Sequence, residues 1–347
     1  MSKRNVKQKG FSLIELMVSL VIGLIVVAAI TQVFVGSKVT YSMQSGLSKI
    51  QENGRFAMAF LTRDLRQAGY TGCTSNTTFA NTVRDSSGAV PSFLDITNLV
   101  SGQDNMNGTD AFNRTPLAGT DVVEVRFVDP SGACDIDKHV ETSANLHCTA
   151  DHDFERGEIL VVTDCTHTAV FQFAKAGTTN KIVVHGAGAS VDPGNCTKGL
   201  GAPVDCSSPN GTGYQYNNGS VLRMSAYRYY VANNTLGEPA LYRESISTTT
   251  GTSGIAHSEL VEGIENMQVL YGEDTSGNGT ADYYVPFDEV SDAEDIISIR
   301  VSLLVTSIED NLVQGTQTLL YNGGTVNFND GHLRKVFTST IALRNRL

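Results

Sequence analysis

The sequence has no tryptophan, and no proline occurs before Pro91. Between Gly10 and Ser37 the only ionisable side chain is Glu15. A stretch with neither proline nor charge offers nothing to break a helix, so one continuous helix is expected there. Charged residues make up only 18% of the 347-residue chain, and the balance is acidic, at net −11. A protein that lives on phosphate contacts needs a basic face, so nucleic acid is not an expected partner. Catalytic signatures are missing too. There is no G-x-S-x-G elbow, no G-x-x-x-x-G-K-[ST] phosphate loop, no H-E-x-x-H and no G-x-G-x-x-G after a strand, and no enzyme activity is expected.

What is present begins with charge asymmetry. Lys3, Arg4, Lys7 and Lys9 precede the apolar run, and no basic residue follows until Lys38. Residues 16–35 alone reach about 30 Å as a helix, enough to span a bilayer. The positive-inside rule then places the N-terminus in the cytoplasm and the body outside. A cleavable secretory signal shares this outline, but the run is longer than its usual apolar core and holds an acid that costs a few kcal/mol if it meets lipid unpaired.

The stretch KGFSLIELMVSLVIGLIVVAAI resembles the N-terminus of a type IV prepilin. The resemblance implies that a prepilin peptidase cuts after Gly10 and that Phe11 becomes the N-methylated terminus. It also implies that Glu15 pairs with the Phe11 amine of a neighbouring subunit during assembly. The apolar pattern continues through Val39, Met43, Leu47, Ile50, Ala57, Leu61, Leu65 and Ala68, with Gly69 as a C-cap. This predicts one helix over 11–68 whose second half packs on the globular body. Gly23, Gly36, Gly46 and Gly54 weaken such a helix by up to about 1 kcal/mol each where exposed. Arg63 and Arg66 suit its C-terminal dipole.

Beyond Gly72 short runs rich in β-branched and aromatic residues alternate with Gly, Asn and Pro clusters. Strands are expected over 121–128, 158–163, 169–173, 181–185, 221–231, 241–246, 268–271, 296–306 and 336–343, and irregular loops over 74–118 and 186–220. The fold class is α+β: a long N-terminal helix packed on an antiparallel sheet domain with long loops. The expected parts are a leader (1–10), a transmembrane or filament-core helix (11–35), its amphipathic continuation (36–72) and a β-rich periplasmic or extracellular domain (73–347).

NGRFAMAFLTRDLRQAGYTGC (53–73), ELVEGIENMQVLYGEDTSGNGTADYYV (259–285) and LRKVFTSTIALRNRL (333–347) are similar to the PilW family of minor pilins. That resemblance implies a component of the complex that primes type IV pilus assembly, near the tip under a PilY-type adhesin. The implied partners are prepilin peptidase, other minor pilins, the major pilin and the inner-membrane assembly platform. Two other classes stay open: a minor pseudopilin of a type II secretion system, and an exported binding protein or enzyme released by signal cleavage near Ala28 or Ala29.

All six cysteines fall on the outer side, where disulfides form. Fifteen pairings are possible. Closure entropy favours near neighbours, Cys134 with Cys148 and Cys196 with Cys206, which leaves Cys73 with Cys165. A zinc alternative draws on His139, His147, His152 and His167 interleaved with Cys134, Cys148 and Cys165, although no C-x-x-C occurs. Asp274, Ser276, Asn278, Thr280 and Asp282 match an EF-hand-like order of calcium ligands, with Gly279 at the sharp turn. Position twelve is Val285, so Glu273 or Asp288 would have to contribute. The competing reading is a Gly-Asn-Gly hairpin.

Overall fold

A computed structural model describes residues 10–73, 77–108, 112–176, 179–188, 191–249 and 251–345. The four basic leader residues lie outside the described residues. One helix, α1 (Leu13–Leu65), takes the whole apolar run and its polar continuation, about 80 Å in length. Ser12 starts it with a capping box. Its hydroxyl accepts the Glu15 N–H at 3.2 Å, and the Glu15 carboxylate accepts the Ser12 N–H at 3.0 Å. The helix ends three residues short of the predicted Ala68. Its last turn tightens into three-residue hydrogen bonds, Gln67 to Asp64 and Ala68 to Leu65, and Gly69 then leaves at φ +79°.

The strands are β1 (Thr78–Asn81), β2 (Val100–Gln103), β3 (Val122–Val140), β4 (Asn145–Cys148), β5 (Ile159–Thr163), β6 (His167–Gln172), β7 (Lys175–Ala176), β8 (Ile182–Val184) and β9 (Ser220–Asn233). Then follow β10 (Pro239–Thr249), β11 (Thr252–Glu262), β12 (Ile264–Glu273), β13 (Tyr283–Val285), β14 (Ile296–Thr306), β15 (Gln317–Tyr321), β16 (Gly324–Phe328) and β17 (Arg334–Ala342). The larger sheet runs β1-β6-β5-β9-β3-β4-β8-β7, with β10 and β11 branching from β9 and β2 lying on β3. The smaller sheet runs β13-β12-β14-β17, and β15 and β16 form a separate hairpin. The named strands pair antiparallel except β1 with β6, which are parallel. Two strands, β1 and β2, correct the expectation that 74–118 is wholly irregular. Each is four residues long and exists through its sheet partner rather than through any pattern of its own.

The second half of α1 lies against β17, β14 and β11. Ile50, Ala57, Leu61, Leu65 and Ala68 share one core with Met267, Val269, Ile299, Val301, Leu303 and Ile341. Each large side chain buried this way contributes about 1.5–3 kcal/mol. Val39, Met43 and Leu47 do not join that core; they are 43%, 44% and 38% exposed, so the packed stripe begins later than the sequence suggests. Two helix glycines read as weak points are contact points instead. A Cβ at Gly46 would run into Leu312, and one at Gly54 into the ring of Phe337. The missing side chains let α1 sit closer to the body than any larger residue allows.

A polar clamp fixes the same seat. Asp64 is 1% exposed on the buried face of α1. Its carboxylate accepts the Tyr229 hydroxyl, Arg243 Nη1 at 3.0 Å and Arg63 Nε at 2.7 Å. A charge buried there is tolerable because three donors, two of them cationic, answer it.

Candidate assembly site on the N-terminal helix

Gly10 and Phe11 stand at the exposed end of α1, with the Phe11 ring 88% exposed. From Phe11 to Val35 every large apolar side chain is at least 49% exposed. None of the described residues covers that surface, and an apolar face of such extent belongs in lipid or against other helices. The helix is long and apolar enough to cross a membrane. Glu15 is the one acid in its apolar half, between Gly10 and Ser37. The capping box gives its carboxylate the Ser12 N–H and, at 3.1 Å, the Ser12 hydroxyl, at the end where helix N–H groups favour negative charge. Sequence reading passed over Ser12, although S-x-x-E is the pattern that announces this cap.

The cysteines form three disulfides: Cys73–Cys165, Cys134–Cys148 and Cys196–Cys206. The first joins the segment just after α1 to the turn between β5 and β6. These bonds dispose of the zinc alternative, which needs free thiolates. The histidines are also dispersed. His152 Nδ1 accepts the Phe154 N–H, His167 stacks on Tyr214, and His139 faces His185, which the sequence had not grouped with it. Among the described residues no three His, Cys, Asp or Glu side chains gather as a metal site would require.

The 274–282 segment joins β12 to β13. Asp274 accepts the N–H groups of Asn278 at 3.0 Å and Gly279 at 2.6 Å, and Asp282 accepts the Ser276 N–H at 3.0 Å. Ser276 Oγ lies within 3.2 Å of Asp274 and 3.1 Å of Asp282, so the two carboxylates converge. Asn278 Oδ1 accepts the Thr280 N–H at 2.8 Å. Glu273 does not complete the set. Its carboxylate is turned to Ser291 and Asp292 on the other side of the strand. Two carboxylates and a few neutral oxygens fall short of a tight Ca²⁺ cage.

Comparison with known proteins gives two matches. Residues 5–31 match the prokaryotic N-terminal methylation motif, and residues 228–345 match the family described as type IV pilus-assembly protein W, PilW. No curated protein and no solved structure matched the chain. The exposed apolar helix, the acid four residues after Phe11 and the methylation motif define a prepilin-type, membrane-anchored, pilus-associated class. Within that class the second match, over residues 228–345, gives the particular likeness: that part of the chain is similar to the PilW family of structural pilus-assembly components. The match runs from within β9 to just beyond β17, so it takes in the whole smaller sheet on which α1 rests.

Proposed function

We propose that the protein is a minor pilin of a type IV pilus, working as a structural part of the complex that primes assembly and sits at the tip beneath a PilY-type adhesin. Prepilin peptidase removes the leader after Gly10, and Phe11 becomes the methylated terminus. The assembly platform then draws the helix out of the membrane into a bundle with major and minor pilin helices. The observation that carries this reading is the division of α1: an unclothed apolar half ending in one acid, followed by a half locked to the body by Gly46, Gly54 and Asp64. Glu15 exchanges the local Ser12 cap for the ammonium of the next subunit's Phe11, and each charge satisfies the other as both leave water.

Mass spectrometry of the mature protein tests the processing step. N-methylated Phe11 is expected, whereas a terminus near Ala28 or Ala29 would show ordinary signal cleavage and end the proposal. Glu15→Gln is expected to leave cleavage intact and to abolish incorporation into fibres. Normal incorporation of that variant would remove the pairing from the mechanism.

A further inference from the structure

A groove of about 900 Å³ runs along the face of α1 that the body leaves open. Met58, Tyr70 and Phe337 form an apolar floor, and Arg55, Arg66 and Arg344 line it. None of these three arginines makes a side-chain hydrogen bond or ion pair with any described residue. The nearest acid in sequence to the wall at Pro130, Asp129, is turned to the Ser131 N–H at 2.8 Å. In a chain of net charge −11, one groove therefore holds three unanswered guanidinium groups. The helix dipole accounts for Arg66 in the last turn, but not for Arg55 three turns earlier nor for Arg344, which the helix does not carry.

Spacing decides what fits. Arg55 and Arg66 are eleven residues apart, about 17 Å along the helix, so no single small anion reaches both. Asn345 donates to the carbonyls of Gln67 and Ala68 at 3.4 Å, which puts neighbouring Arg344 near the Arg66 end. The groove thus presents one unpaired positive charge at one end and two at the other, over a half-buried apolar floor. Lipid headgroups are out of range. Arg55 stands 17 residues beyond Lys38, about 25 Å outside the membrane along the helix, against a screening length of about 8 Å.

We infer that this groove docks an acidic segment of a neighbouring pilin-type subunit, with carboxylates spread over about 17 Å and at least one apolar side chain for the floor. The inference rests on the pilin reading and names the chemistry of one contact within it. Arginine is suited to the task because its planar fork takes a carboxylate bidentately.

The test places a photo-crosslinking residue at Thr62 of the full chain, in cells that assemble the fibre, and identifies the adduct by mass spectrometry. The expected adduct is another pilin-type subunit, joined through a peptide bearing two or more Asp or Glu. Its yield should fall at least about tenfold in Arg55→Glu/Arg66→Glu/Arg344→Glu and by clearly less in the matching triple Lys variant, which keeps the charge and loses only the fork. Because the three side chains hold nothing among the described residues, the Lys variant should melt with the wild type and the Glu variant close to it, short only of Arg66's contact with the helix dipole. Lysine replacements at the crosslinked acids should restore the adduct to the triple Glu variant. Unchanged yield in that variant, or adducts only to a second copy, lipid or nucleic acid, would overturn the inference. Phe11 is sequenced in the same sample. Methylated Phe11 without an acidic adduct sinks the groove alone, and unmethylated Phe11 sinks the pilin reading with it.

Discussion

Acid should loosen this protein through one buried pair. His139 and His185 meet with their Nε2 atoms 3.0 Å apart and are 2% and 0% exposed. The Tyr216 N–H donates to His139 Nδ1, so in the neutral pair His139 Nε2 carries the hydrogen and gives it to His185. Among the described residues no carboxylate touches either ring, and the charged group closest in effect, Lys198, has the same sign as a protonated imidazole. Burial pushes His139 down to about 4, and burial with the His139 ring pushes His185 down to about 3. An unfolded histidine titrates near 6.5, so between pH 7.5 and 5 the unfolded chain binds protons that the native pair refuses. Stability is lost as pH falls through that window, by about 2 kcal/mol per ring. Asp121 opposes the loss. Burial raises it to about 6, above its unfolded value, so its protonation in the fold returns about 1.4 kcal/mol over the same range. Acids held low by a partner, such as Asp330 beside Arg334, act only below about pH 4. These three groups together give a loss of about 2.5 kcal/mol, with His152, lowered by burial, and Asp104, raised by burial, acting in opposite directions beside them. Urea unfolding of the full chain in detergent, followed by near-UV tyrosine signals because there is no tryptophan, measures it at both pH values. His139→Gln/His185→Gln should lose nothing or gain slightly on acidification. The same loss in both proteins would refute the pair as its origin.

Gly54→Ala sets a Cβ against Phe337 and should destabilise the folded body by about 1–3 kcal/mol, while Gly36→Ala, with open space around it, should cost nothing and gain up to about 1 kcal/mol. Equal melting shifts for the two would show that α1 does not need the close approach. Cys73→Ser/Cys165→Ser opens a link spanning 92 residues and should lower stability by about 4 kcal/mol, read as a shift in denaturation midpoint. For the 274–282 segment, calorimetry should detect no Ca²⁺ binding tighter than about 1 mM. Micromolar affinity, abolished by Asp274→Asn, would reveal ligands beyond the two converging carboxylates.

Local chemistry was legible wherever it is written in consecutive residues. The apolar helix announces itself through an absence of charge, and β14 has the bounds its composition predicts, because IISIRVSLLVT is a long β-branched run between polar clusters. What escaped depends on distant partners. Gly46 and Gly54 read as weak points because the groups that fill their space, Leu312 and Phe337, come more than 260 residues later. Strand β11 has small and polar residues on its faces and is mostly exposed, so no alternation marks it; β10 supplies its order. His139 was grouped with its sequence neighbours, whereas its actual companion arrives by way of β4 and β8. Glu273 has no local sign that it faces Ser291 rather than the loop beside it.

Strands β3 and β9 connect regions that otherwise have separate cores. Val123 and Val125 of β3 and Tyr229 and Val231 of β9 belong to the helix seat, while Cys134 and Ile136 of β3 and Val221 of β9 belong to the disulfide-bonded lobe. The two strands pair antiparallel from Val123↔Tyr229 to Asp135↔Ser220, so both run lengthwise from one region to the other. A tensile load between lobe and seat would therefore fall on two backbones side by side, each continuous across the junction and tied to the other along its length. Separating the two regions thus means stretching both chains or unpicking one of the two cores, since neither strand ends at the boundary.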